Sequence, residues 1–153
     1  MKVKQFKVSI LSCLVILIGM TISVNGQDKR LDIANKFVRA VFITNEDPKA
    51  IMSNYMYFEH VKDYPMDKRL SILKSHIKKI LNEKASLIDS NNYVVIPYDS
   101  YKAEKVNFPK QTEDMFVLES KDKKPVLYLF FKNNKVFAFD YLLKGSEAYF
   151  ITY

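Results

Sequence analysis

Asp140 is the residue whose surroundings could do chemistry. It stands between Phe139 and Tyr141, inside an apolar and aromatic run near the C-terminal end. A carboxylate held among apolar neighbours loses hydration and its pKa rises, which is what a general base or a protonated donor requires. Tyr149 lies across from it if the following turn falls at Lys144-Gly145, and a phenol there would orient the carboxylate. Leu127 and Tyr153 fall on the same face by alternation. Asp140, Tyr149, Tyr153 and Leu127 are therefore the candidate ligand-binding set, and no residue is assigned a catalytic role. The plainer alternative is that Asp140 bonds Tyr149 or a lysine at a sheet edge and does no chemistry, since structural ion pairs perturb pKa values too.

Other chemistries find little support. The chain has two histidines and one cysteine, with no His-Glu-x-x-His spacing, so no metal site and no cofactor are expected. His76, flanked by Lys74 and Lys78, reads as a helix-surface residue. His60 follows an aromatic run and reads as exposed or structural, a pocket base being the sharper alternative. Three glycines cannot build a glycine-rich phosphate loop, and the serine nucleophile elbow is absent.

The elements that must position Asp140 are three antiparallel strands at about 126–131, 136–142 and 147–153. Asn133-Asn134 between the first two suits a type I′ turn, which needs positive φ at both central residues. That register pairs Phe131 with Val136 and Phe130 with Phe137, and a second turn at Lys144-Gly145 pairs Asp140 with Tyr149. Alternation then puts Val126, Tyr128, Phe130, Phe137, Phe139, Tyr141, Ala148, Phe150 and Thr152 on one face. Leu127, Leu129, Phe131, Val136, Ala138, Asp140, Leu142, Glu147, Tyr149, Ile151 and Tyr153 lie on the other. The first face is expected to meet the helices, with Phe130, Phe137 and Phe139 against Phe37, Val41, Leu73 and Ile77. The second, apolar with acids and phenols set into it, is expected to meet a pocket or a partner.

Residues 1–26 read as a cleavable secretory leader: Lys2, Lys4 and Lys7, then a charge-free apolar run from 8 to 24. An uncleaved anchor is the alternative, the run being just short of the ~20 residues that span a bilayer. Cys13 does not make a lipoprotein signal, because the apolar run follows it. Cleavage leaves a single domain at 27–153, exported to a bacterial periplasm or beyond, without cysteine or transmembrane helix. Its 21 basic and 17 acidic residues give a net +4, against +7 for the whole chain. Lysines dispersed among acids argue against nucleic-acid binding. Only Arg30, Arg39 and Arg69 are arginines, which argues against a phosphate or carboxylate clamp, since both favour arginine's fork.

Helices precede the strands. Leu31, Ala34, Phe37, Val38, Val41 and Phe42 recur at helical spacing over 28–44. Asp47-Pro48 is an N-cap and first-turn signal for a short helix to about 54. A third helix runs over about 64–83, with Met66, Leu70, Leu73, Ile77, Ile80 and Leu81 on its stripe and Lys68, Arg69, Lys74, Lys78, Lys79 and Lys84 as its basic exterior. Residues 55–60 continue the second helix or form a short strand. Strands follow at 93–98 and 115–119, separated by a long polar connection at 99–112 with an irregular strand around Tyr101 to Phe108 as an alternative, and 120–124 is a hairpin loop. The fold class is α+β, N-terminal helices packed on one face of a curved, mainly antiparallel sheet.

That order resembles the cone-shaped α+β family of nuclear transport factor two and SnoaL-like proteins, with the cystatin-like arrangement as a close neighbour. The resemblance implies a cavity between sheet and helices that holds a small apolar ligand or a catalytic site. Many such proteins are non-enzymatic; those that isomerise or dehydrate small carbonyl compounds use carboxylates and tyrosines in the cavity. Three functions follow. The first is non-enzymatic binding of a small molecule or protein on the second face. The second is a lyase or isomerase using Asp140. The third is an inhibitor or immunity-type protein contacting its partner through the basic helix or the aromatic face. A homodimer through the sheet is a further partner expectation.

Overall fold

The computed structural model describes residues 26–109 and 112–153. The expected leader lies outside the described residues, apart from Gly26. Helix α1 occupies 26–42, α2 Pro48–Tyr55 and α3 Met66–Lys84. Six strands follow: β1 Val94–Pro97, β2 Met115–Glu119, β3 Pro125–Lys132, β4 Lys135–Ala138, β5 Asp140–Lys144 and β6 Glu147–Ile151. The fold is α+β as expected. On α1 the 3.6-residue period carries Ala34, Phe37, Val38 and Val41 into full burial. Asp47 caps α2 by accepting from the Lys49 N–H at 2.8 Å, with Pro48 in the first turn.

β1 to β4 form one antiparallel sheet in sequence order, and β5 and β6 form a separate two-stranded hairpin. Asn133 and Asn134 hold φ of 51° and 57°, so the type I′ turn stands and Phe131 pairs with Val136 as expected. One residue later the register departs from the expectation. Phe130 pairs with Ala138 rather than Phe137, because the strand takes up one extra residue in a bulge. The extra residue shifts the alternation, and Phe139 comes round to the helix side, its ring 5.4 Å from that of Phe37.

The two faces are therefore covered in the opposite sense to the expected one. Leu127, Leu129, Phe131 and Val136 join Phe116, Leu118 and Val95 beneath the helices, in a core with Phe37, Val41, Leu73 and Ile77. Tyr128, with Phe130 at its margin, packs on the other side with Tyr98, Tyr101, Phe108, Met115 and Val117. Two aromatic-rich layers sandwich the sheet. The segment taken for a polar connection supplies the second lid.

The second turn also moves. Gly145, with φ 64°, occupies the first central position and Ser146 the second, so Lys144 pairs with Glu147 and Asp140 with Ile151, not Tyr149. Glycine at the first central position is what a type II′ turn demands, whereas the expected turn would have put Lys144 there. The shift is by two residues in the partner strand, so the faces of β5 and β6 are kept. Met56 forms a parallel bridge to Val136, and the Tyr57 N–H donates to the Val136 carbonyl at 2.9 Å. This segment covers the outer edge of β4, which would otherwise be a free pairing edge.

Candidate functional site

The Asp140 carboxylate is buried against α3 rather than facing open space. It accepts from Lys79 Nζ at 3.1 Å and from the Tyr141 N–H at 3.0 Å, and His76 Nδ1 stands 3.4 Å away. His76 Nδ1 also lies 2.9 Å from the Tyr153 hydroxyl. Arg69 donates to the Tyr153 carbonyl and, at 2.6 Å, to that of Glu59. Arg69, His76 and Lys79 rise along one side of α3 at spacings of seven and three, which a helix brings onto one face. They were expected on its exterior. Arg69 is instead 2 % exposed, His76 and Lys79 turn to the C-terminal strand, and Lys84 donates to the Val126 carbonyl at 2.6 Å. Burial pulls the Lys84 ammonium below its ordinary pKa and pushes the Tyr153 phenol up, with the Asp140 charge adding to it.

Of the four candidate residues, the structure brings together only Asp140 and Tyr153, through His76. Tyr149 is exposed and donates to Glu147 at 2.5 Å. Leu127 is sealed in the helix-side core. The carboxylate therefore has a cationic partner in Lys79, and the arrangement works as a latch between α3 and the end of the chain. Among the described residues, no group of three or more His, Cys, Asp or Glu side chains is placed to hold a metal ion, and no helix is long and apolar enough to cross a membrane.

A concavity lies on the opposite side of the sheet. An open groove of about 670 Å³ runs between residues 103–107, the loop at 123–125 and the hairpin tip at 143–146, with Tyr128 in its floor. Its walls are tied by side chains. The Tyr98 hydroxyl donates to the Val106 carbonyl at 2.7 Å, and the Tyr128 hydroxyl accepts from the Val106 N–H at 2.9 Å. The Tyr101 hydroxyl donates to the Lys123 carbonyl at 3.0 Å. Lys105 Nζ donates to the Tyr98 carbonyl at 2.7 Å and sits 4.0 Å over the Tyr98 ring. Phe108 stacks on Phe150 at 4.5 Å, and the Ala148 N–H donates to the Asn107 carbonyl at 2.8 Å. Burial raises the phenols of Tyr98 and Tyr101 and pushes that of Tyr128 up to about 12.

Compared with family models, with curated proteins and with solved structures, the chain matches none. The groove residues were missed because the stretch from 99 to 112 looks polar. The signal was present in Tyr98, Tyr101 and Phe108: large aromatic rings in a polar connection gain most by burial, and the sheet face carrying Tyr128 was where they could go.

Proposed function

We propose that the protein is an exported, non-enzymatic binding domain that holds its ligand in the groove over Tyr128. The observation that carries this reading is the groove's preformed state. Five side chain–backbone hydrogen bonds, from Tyr98, Tyr101, Tyr128 and two from Lys105, tie its walls, so little ordering cost falls on binding. Its volume is in the range of small-molecule sites. Its lining includes one carboxylate, Glu104, and no histidine or cysteine. Asp140, which the lyase or isomerase reading needs, is occupied by Lys79 and lies in the latch.

The order of helices before an antiparallel meander supports placing the fold near nuclear transport factor two, SnoaL-like or cystatin-like proteins. In this chain the helix-facing side of the sheet is filled by Phe37, Phe116, Leu129 and Phe131, so the site proposed is on the other face. A protein partner, as an inhibitor or immunity-type protein would have, is favoured by Leu142 and Leu143, 65 % and 66 % exposed beside the groove.

A protein-observed NMR screen against a fragment library tests the reading. Amide shifts should gather at 103–107, 123–125 and 143–146. Shifts gathered around His76 and Asp140, abolished by Asp140→Asn, would move the site to the latch and restore the enzyme reading. Sequencing the exported protein should find its N-terminus at or near Gln27; an intact Met1 in a membrane pellet would favour an anchor.

A further inference from the structure

We infer, on the reading that the groove over Tyr128 is the binding site, that its ligand is an extended acidic segment of a partner protein. Shape comes first. A second groove of about 450 Å³ adjoins the first and shares Ala103 and Lys123 with it. The joined trough runs from Ile96 on β1 to Gly145 at the hairpin tip, which suits an extended chain better than a compact molecule. Charge comes second. Lys102, Lys105, Lys123 and Lys124 line the trough against Glu104 and Glu119. None of those four lysines takes part in an ion pair among the described residues. Lysine ammoniums act as point charges toward an acidic partner, without the planar fork by which arginine clamps a carboxylate or a phosphate. An apolar floor beneath them, with Pro125, Val106 and Tyr128, receives the alternate side chains of an extended strand.

Lys123 adds an independent observation. The connection from β2 to β3 closes with the Lys123 N–H donating to the Ser120 carbonyl at 3.0 Å and the Ser120 N–H to the Lys124 carbonyl at 2.9 Å. In such a three-residue hairpin loop, here 121–123, the last position is left-handed and is the place for glycine. Lys123 holds it with φ 58°. Lysine there bears a backbone cost that glycine would not, and Lys123 lines both grooves.

The test is titration of the full chain with a ten-residue peptide alternating Glu and Leu, and with its Gln–Leu counterpart, by calorimetry and amide shifts. The acidic peptide should bind with a submillimolar Kd, shift the amides of 103–107 and 123–125, and weaken as salt rises. Lys123→Gly should weaken it about two- to fivefold, the effect of one solvent-facing charge pair, while raising the melting temperature. Lys124→Gln should weaken it similarly, and Lys121→Ala, outside the trough, should change nothing. Equal binding of both peptides at the same amides would overturn the acidic class and leave the groove reading intact. No shift at those amides with either peptide at millimolar concentration would overturn the inference, while the fragment screen decides the groove separately. Tighter binding of heparin or of phosphatidylglycerol vesicles, lost in Lys123→Gly, would replace the protein partner by a polyanion.

Discussion

Asp140 illustrates how a side chain's meaning depends on what lies opposite. From the strand alone it is a carboxylate among apolar residues. With α3 in place it is one end of an ion pair to Lys79, beside His76. Asp140→Asn keeps the shape and removes the charge that Lys79 faces. It should cost about 1.5–3 kcal/mol, the range of a hydrogen bond to a charged group, toward the low end because Lys79 is half exposed. Denaturant unfolding measures the loss, and groove binding should be unaffected. Loss of binding at unchanged stability would contradict the latch assignment. Lys123 sits at the other extreme. Its left-handed backbone is a local cost of roughly 1 kcal/mol for a residue with a Cβ, so Lys123→Gly should stabilise the fold by about that amount. A destabilised variant would mean that the Lys123 side chain contributes packing.

Among the elements, β4 decides which aromatic rings reach which layer. The bulge opposite Phe130 and Phe131 sends Phe139 to Phe37 and Tyr153, and leaves Phe137 beside Phe130 and Tyr57 on the other side. Phe139→Ala should therefore cost about 3–5 kcal/mol as a core truncation. Phe137→Ala should cost less, because Phe137 keeps an edge to solvent. Equal losses would mean that the bulge is absent in solution. Much of this hairpin was legible in the sequence: Asn133-Asn134 specifies its turn through a backbone requirement few residues meet. The bulge was not, since an extra residue inside an apolar strand leaves no mark in composition. Gly145 announced a turn, and only the rule that glycine takes the first central position of a II′ turn distinguishes Gly145-Ser146 from Lys144-Gly145. The latch was illegible for another reason. Arg69, His76 and Lys79 look like a solvated face until the end of the chain is laid against them, and nothing local to α3 encodes that contact.

At the scale of the whole molecule, two layers of buried phenols face opposite sides of one sheet, and their protons couple the fold to alkaline pH. Burial raises Tyr128 from an ordinary 10.0 to about 12, and Tyr153 is raised as well, by burial and by Asp140. In the unfolded chain both ionise near 10; in the folded chain both keep the proton longer. The unfolded state thus binds fewer protons above pH 10, and stability must fall as pH rises from there through the folded values. Lys84 acts in the reverse sense: its folded pKa lies below 10.5, so the unfolded chain binds more protons in that window and stability rises with pH up to about 10.5. The profile expected from denaturant unfolding is a shallow rise, then a decline above pH 10. Each phenol contributes a slope of up to about 1.4 kcal/mol per pH unit. Tyr128→Phe, which loses the hydroxyl that accepts from Val106, should be less stable at pH 7 yet decline less steeply between pH 10 and 12. Tyr153→Phe should flatten the decline from the helix side while leaving the groove untouched. An alkaline slope unchanged in both variants would assign it to other groups and separate the two layers from the pH response.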